Sequence, residues 1–112
     1  MIIYGIKNCD SVKKAKRWLD AHNVVYHFHD FREAGLDEST IRQWLESVDW
    51  EDLVNKRGTT WRNLEDKQKT DLSEASAIEL MLENSTLIKR PVAVSNATTL
   101  VGFNEQQYQQ FL

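Results

Sequence analysis

The only cysteine of the chain, Cys9, is the side chain best suited to covalent chemistry, because its thiolate is a strong nucleophile. It lies between an apolar stretch and a helical pattern, in the sequence Lys7-Asn8-Cys9-Asp10-Ser11. A thiolate at the start of a helix gains about 0.3–1 kcal/mol from the helix dipole, and Lys7 and Lys13 add positive charge. Asp10, which we expect to be the N-cap, opposes this through its own negative charge. The balance favours a reactive thiolate at Cys9.

A second interpretation of Cys9 stays open, because a lone cysteine is most often a small buried apolar residue. Its polar neighbours Asn8 and Asp10 argue against a place in the core. One cysteine forms no internal disulfide, and together with three histidines it is a poor structural zinc site. The sequence therefore predicts no metal centre, and thiol chemistry is the leading hypothesis.

Length and charge limit the classes of protein that this chain can belong to. Its 112 residues, 41% hydrophobic and 28% charged, predict a single globular domain over residues 1–112. A net charge of −3 gives no attraction to nucleic acid or to anionic membranes. The apolar run at residues 2–6 is too short for a signal peptide, and no apolar run is long enough to span a membrane. We expect a cytoplasmic monomer with no direct nucleic-acid or membrane partner.

The first third of the chain predicts the elements that place Cys9. Residues 2–6 are apolar and β-branched, which indicates a buried strand, and from Ser11 a helical period begins. A short alternating stretch at residues 24–29 indicates a second strand. Strand, helix and strand form a parallel βαβ unit, and α/β folds place their sites where such strands end. The predicted inward face of the helix comprises Val12, Ala15, Leu19 and His22.

The middle of the chain is predicted to be a helical insertion over about residues 35–88. Asp37 is a good N-cap for a helix that buries Ile41 and Trp44, and a basic loop follows at residues 55–61, where Gly58 and two threonines are expected to break any helix. A further helix is predicted from about Ser73 to residue 83. Its expected inward residues are Ala75, Ile78, Met81 and Leu82.

The last third returns to strands, at residues 92–94 and 99–103, joined by a polar turn. Asn104 and Gln107 have the form of a capping pair for a final helix. The element order is therefore βαβ, a helical insertion and ββα. This order predicts an α/β fold with a mixed four-stranded sheet.

Four segments of the sequence, in this order, resemble the arsenate reductase (ArsC)/Spx family, and especially its YffB-like branch. Residues 4–15, with the sequence YGIKNCDSVKKA, resemble the active-site segment, and the later segments are RGTTW at 57–61, IKRPV at 88–92 and LVGFNE at 100–105. Because the four segments are spread from residue 4 to residue 105, the resemblance extends over nearly the whole chain. The resemblance implies a thioredoxin-like fold with a helical insertion, in agreement with the element order.

The resemblance also implies roles for individual residues. Cys9 is the expected redox nucleophile, and Arg90 places a guanidinium beside it that stabilises a thiolate or an oxyanion through charge-assisted hydrogen bonds. Pro91 is the expected cis-proline, next to backbone groups that pair with a peptide-like ligand. Without the resemblance, the simplest interpretation is that Arg90 is an ordinary surface arginine and that Pro91 starts a strand. The candidate substrate-binding residues are Lys7, Asn8, Lys13, Arg57 and Pro91.

The sequence departs from the family pattern in two ways. Position 12 is Val, so there is no C-x-x-C motif and no second thiol to resolve a mixed disulfide. Asn55 and Gly102 stand where arsenate reductases of the family have further arginines, which argues against arsenate reduction. Arg57 is close to the first of these positions, although a solvated loop charge is an equally good interpretation of it.

Three functions are therefore compatible with the sequence. The leading hypothesis is a thiol-dependent reductase in which Cys9 attacks an oxidised sulfur or oxyanion substrate and external glutathione, as co-substrate, resolves the intermediate. The first alternative is a non-enzymatic regulator that binds RNA polymerase, as the resemblance to Spx implies. The second is a weak arsenate reductase coupled to glutaredoxin.

Overall fold

The structure is a computed structural model that describes all 112 residues, and the chain divides into two compact units. Unit 1 comprises residues 1–35 and 90–112, and unit 2 comprises residues 36–89. All four strands lie in unit 1, whereas the regular elements of unit 2 are helical. The expected helical insertion of about residues 35–88 falls on unit 2.

The sheet of unit 1 has four strands in the order β2-β1-β3-β4. They are β1 (Ile2–Gly5), β2 (His27–Asp30), β3 (Val92–Ser95) and β4 (Thr98–Val101). β1 pairs with β2 in parallel, whereas the β1–β3 and β3–β4 pairs are antiparallel. The mixed four-stranded sheet and the α/β class predicted from the element order are confirmed.

Helix α1 (Asp10–Ala21) joins the two parallel strands and supplies much of the core of unit 1. Its buried residues are Val12, Ala15, Trp18 and Leu19, and the last three pack with Ile3, Ala93 and Tyr108. The prediction that His22 points inward was wrong, because the helix ends at Ala21 and His22 is exposed. The imidazole of His22 instead stacks on the Trp18 ring, with 4.0 Å between the centroids.

A glycine at the end of β1 lets α1 approach the sheet closely. A Cβ atom on Gly5 would lie 2.7 Å from Cγ2 of Val12, closer than real Cβ contacts come. Only residues 6–9 connect Gly5 to the first residue of α1. The close packing of the strand and the helix therefore limits the paths open to the loop that carries Cys9.

Unit 2 consists of five helices, of which only two are longer than five residues. They are α2 (Glu38–Trp44), α3 (Trp50–Leu53), α4 (Thr59–Arg62), α5 (Asp66–Thr70) and α6 (Glu74–Glu83), followed by a 3₁₀ turn at Ser85–Leu87. The side chain of Asp37 accepts the backbone N–H of Thr40, which confirms the predicted N-cap of α2. α6 packs against α2 and α3.

Two predictions about unit 2 were wrong. Gly58 does not prevent a helix but is the N-cap of α4, because an extended glycine can precede a first helical turn. The buried face of α6 comprises Ala77, Ile78, Leu80 and Met81. Ala75 and Leu82 are exposed, so the true apolar face of α6 is rotated from the predicted one. No helix in the structure is long and apolar enough to cross a membrane.

Helix α7 (Glu105–Tyr108) closes unit 1 after β4 and leads into a 3₁₀ turn at Gln109–Phe111. Its N-cap is Asn104, whose side chain accepts the backbone N–H of Gln107, as the sequence predicted. Tyr108 is fully buried and makes edge-on contacts with the rings of Trp18, Phe103 and Phe111. Burial raises the pKa of Tyr108, so the phenol is neutral at physiological pH.

Candidate active site

The strand registers bring four loop segments to one end of the sheet. Gly5 at the end of β1 lies opposite Asp30 at the end of β2, and Val92 at the start of β3 lies opposite both Tyr4 and Val101. β1, β2 and β4 therefore end where β3 begins. We call this the Cys9 end of the sheet, formed by residues 6–9, 31–34, 90–91 and 102–103.

Cys9 is half-buried and is itself the N-cap of α1. Its carbonyl oxygen accepts the backbone N–H of Lys13 at 3.0 Å, the first hydrogen bond of the helix. Asp10, the predicted N-cap, is instead the first helical residue, and its carboxylate lies in the first turn. The Cys9 side chain therefore stands at the positive end of the 12-residue helix, directly before the carboxylate of Asp10 in the chain.

Arg90 and Pro91 lie at the same end of the sheet, directly before β3. The peptide bond between them is cis, as the family resemblance implied. Pro91 is buried and its carbonyl oxygen accepts the backbone N–H of Gly102 at 2.8 Å. Arg90 is half-buried, and its Nε atom is shielded from solvent. The topology thus places Arg90 and Cys9 at one end of one sheet.

Asp30 is a buried carboxylate at the Cys9 end that the sequence analysis missed. It is 8% exposed, and its Oδ2 accepts the backbone N–H of Lys7 at 3.1 Å. Its Oδ1 accepts the backbone N–H groups of Arg32 at 2.9 Å and Glu33 at 3.3 Å. Burial raises the pKa of Asp30, but the three N–H donors outweigh burial, so the net effect is a lowered pKa.

Lys7 is a candidate substrate-binding residue that the structure places in an ion pair. Its Nζ lies 2.6 Å from Oε1 of Glu33, and both side chains are largely exposed. The hydrogen bond to the Glu33 carboxylate raises the pKa of Lys7, which is therefore fully protonated. An exposed pair of this kind exchanges readily with other anions, since its contribution to stability is small.

The remaining candidates lie in two different places. Asn8 is exposed in the loop directly before Cys9, and Lys13 is exposed in the first turn of α1. Arg57 is exposed in unit 2, where its backbone N–H donates to Oδ1 of Asn55. Asn8 and Lys13 thus share unit 1 with Cys9, whereas a role for Arg57 at the thiol stays a prediction.

The sequence of the chain matches the ArsC family model over residues 4–111. The chain belongs to the ArsC family. A protein of Haemophilus influenzae that is described as uncharacterized is 49% identical over 96% of this ArsC-family chain and 94% of its own length. The resemblance seen in the four sequence segments is therefore confirmed over nearly the entire chain.

Two further comparisons place this ArsC-family chain within the family. The solved structure of the YffB protein, described as PA3664, has a TM-score of 0.95 and is 48% identical, covering 99% of this chain and 97% of that one. This match confirms the YffB-like branch and the thioredoxin-like fold. The global transcriptional regulator Spx of Streptococcus mutans is 30% identical over 94% of this chain and 77% of its own length. Spx regulators are thus relatives of this chain.

Proposed function

We propose that this ArsC-family chain is a glutathione-dependent thiol reductase with Cys9 as its only nucleophile. The observation that supports the proposal most strongly is the place of Cys9, half-buried at the N-cap of α1 and at the same end of the sheet as Arg90 and Pro91. A helix N-terminus stabilises a thiolate, and the proposal gives the Arg90 guanidinium the same role. Family membership supports the fold and the general class of chemistry.

The proposed reaction is two successive thiol–disulfide exchanges. The Cys9 thiolate attacks the glutathione sulfur of a mixed disulfide, a new Cys9–glutathione disulfide forms, and the substrate leaves as a thiolate that takes up a proton. A second glutathione thiolate then attacks the glutathione sulfur bound to Cys9. Glutathione disulfide leaves, Cys9 returns to the thiolate, and the substrate disulfide has gained the two electrons that glutathione lost.

The external thiol is required because the chain contains no second cysteine. Thiolate attack within one chain would need a resolving cysteine near Cys9, and the corresponding C-x-x-C position is Val12. Lys7, Asn8 and Lys13 are the polar residues of unit 1 that we assign to binding glutathione. Lys7 is the best supported of these candidates, because its ion pair with Glu33 is exposed and a glutathione carboxylate can replace the Glu33 carboxylate.

The test is a reductase assay on a mixed disulfide of glutathione, with glutathione reductase and NADPH reporting glutathione disulfide. We expect Cys9→Ser to lower the rate to the background without protein, and mass spectrometry to find a glutathione adduct on the wild-type Cys9. Arg90→Ala is expected to lower kcat/KM by about tenfold, and Arg90→Lys by less, because lysine keeps the charge but loses the planar donor set. Full activity in Cys9→Ser would refute the mechanism.

A second candidate is a non-enzymatic regulator, which the similarity to the Spx regulators supports. The Spx resemblance implies RNA polymerase as the partner. Purified chain and purified bacterial RNA polymerase, mixed and separated by size, test this directly. Stoichiometric co-elution by both the wild type and Cys9→Ser, with no glutathione adduct on Cys9, would favour the regulator over the reductase.

Arsenate reduction coupled to glutaredoxin is the remaining alternative within the family. The chain has Asn55 and Gly102 where further arginines would bind the oxyanion, so we expect no arsenite above the blank when arsenate, glutathione and glutaredoxin are supplied. Arsenite production that disappears in Cys9→Ser would overturn this expectation.

A further inference from the structure

One buried side chain connects the loop that carries Cys9 to the segment that follows β2. Asp30 lies opposite Gly5 in the parallel β1–β2 pair, so its carboxylate is at the place where both strands end. The two segments that leave these strands are each bound by one of its oxygens: Oδ2 accepts from Lys7, and Oδ1 accepts from Arg32 and Glu33. No other side-chain type of similar size offers acceptors on two sides.

The position of Lys7 makes this connection relevant to the thiol. Lys7 precedes Cys9 by two residues in a loop of only four, residues 6–9. Ile6, which precedes Lys7, is buried. The carbonyl oxygen of Cys9, at the other end of the loop, accepts the first hydrogen bond of α1. The backbone N–H of Lys7 is therefore the middle attachment of a short segment whose two ends are already fixed, and losing it leaves Asn8 and Cys9 free to shift.

We propose that Asp30 is a positioning residue for the Cys9 thiol, acting through the backbone N–H of Lys7. The inference rests on the function proposed above, because it gives Asp30 a part in the reaction of Cys9. Asp30 contacts no substrate in this proposal, and it holds the loop so that the Cys9 sulfur keeps its place at the N-terminus of α1. The ion pair between Lys7 and Glu33 joins the same two segments from the solvent side.

A carboxylate is needed here because both of its oxygens accept hydrogen bonds. In Asp30→Asn the side chain keeps one acceptor, and its NH₂ group then faces a backbone N–H donor on one side. A buried donor without an acceptor is costly, and the single amide oxygen keeps two hydrogen bonds when it faces Arg32 and Glu33 but only one when it faces Lys7, so the Lys7 side is expected to open. The charge on Asp30 also strengthens all three bonds relative to a neutral acceptor.

The experiment compares Asp30→Asn with the wild type by amide hydrogen exchange and by reductase kinetics. We expect exchange at Lys7 to accelerate by about tenfold or more, while amides in the middle of α1 change much less. We expect kcat to fall by about tenfold because the thiol is misplaced, and KM for glutathione to rise by a smaller factor because Asn8 shifts with the same loop. Asp37→Asn is the matched control, since it makes the same change at an exposed carboxylate of unit 2 that accepts a backbone N–H.

The outcomes separate this inference from the proposed function. Unchanged exchange at Lys7 in Asp30→Asn, or faster exchange with unchanged kcat, would overturn the positioning role.

If the wild type has no reductase activity, the proposed function fails and the rate of Cys9 alkylation by iodoacetamide replaces kcat. A change of about threefold or more in that rate, absent in Asp37→Asn, would then support the positioning role, and no change would overturn it. If Asp30→Asn does not fold, Asp30→Glu, which keeps the charge but displaces the oxygens, undergoes the same measurements.

Discussion

The loops at the Cys9 end of unit 1 and the helix starts of unit 2 satisfy their backbone amides in opposite ways. In unit 1, the buried carboxylate of Asp30 accepts three backbone N–H groups from two segments that are distant in sequence. In unit 2, the exposed side chains of Asp37 and Ser73 each accept an N–H three residues ahead. Water can replace an exposed acceptor but not a buried one. The segment that carries Cys9 is therefore fixed by a bond that is costly to lose, whereas the helix starts of unit 2 tolerate substitution.

The sharpest test of this comparison is the same change made in each unit, beginning with the larger effect. Asp30→Asn is expected to lower the free energy of unfolding by about 2–3 kcal/mol at neutral pH, because a charged acceptor is lost and a donor is left unsatisfied. Urea denaturation measures the effect. A loss no larger than that of Asp37→Asn would show that burial does not distinguish the two carboxylates.

The pH dependence of that loss follows from the lowered pKa of Asp30. Its contribution is fully present above the pKa of an unfolded aspartate, about 3.9, and disappears as the pH falls through the lower pKa of the folded state. The charge that acts on Asp30 is that of Lys7, which also lowers the pKa, whereas Arg32 and Glu33 act through their backbone N–H groups. The difference in unfolding free energy between the wild type and Asp30→Asn should be constant from neutral pH down to about 5 and should shrink below about 4. A constant difference into strong acid would contradict the lowered pKa.

A smaller effect is expected at the contact that sets the path of the Cys9 loop. Gly5→Ala places a methyl group against Val12 and should cost about 1–2 kcal/mol, because the strand or the helix must move. In a Val12→Ala background, the added cost of Gly5→Ala should be largely removed, since the atom that it meets is gone. The wild type, Gly5→Ala, Val12→Ala and the double variant form a double-mutant cycle, which urea denaturation measures. Additive losses would mean that the close approach of Gly5 and Val12 does not constrain the fold.

The N-cap of α2 should show the weakest dependence on charge. Asp37→Ala is expected to cost about 1 kcal/mol, whereas Asp37→Asn should change stability very little, because asparagine is an equally good N-cap. Thermal denaturation of the two variants checks this order. If Asp37→Asn were as damaging as Asp37→Ala, the charge rather than the hydrogen bond would stabilise this helix start, and the contrast with Asp30 would disappear.

The sequence predicted the sheet of unit 1 better than the helices of unit 2, for a physical reason. β1 carries a short apolar run and α1 an apolar stripe over three turns, and the turn at Cys9 follows directly from them. Helices of four or five residues, such as α3, α4 and α5, contain about one turn and show no periodicity, so they were not predicted. Gly58 is a good example, because a glycine that breaks one helix can begin another.

The site was only partly accessible to sequence reasoning. Cys9 could be found from its residue type and its place after a strand, and Arg90 and Pro91 from the family resemblance. Asp30 could not be found from the sequence, because an aspartate after a strand normally indicates a solvated turn. Its burial results from the pairing of β1 with β2, which sets Asp30 opposite Gly5 and beside a loop of distant residues. The one available signal was its position at the end of a parallel strand.

The smallest effect on stability, and the one that separates stability from binding, is expected at Lys7. Its ion pair with Glu33 is exposed, so Lys7→Met should leave the Tm essentially unchanged. If the ammonium binds a glutathione carboxylate, the same change should raise KM for glutathione severalfold with kcat retained, because only a binding contact is lost. Lys14→Met, at an exposed lysine of α1, is the matched control and should alter neither quantity. Because Asp30 holds the Lys7 backbone and not its ammonium, a Lys7→Met variant with lowered kcat and unchanged KM would mean that the ion pair itself orders the Cys9 loop.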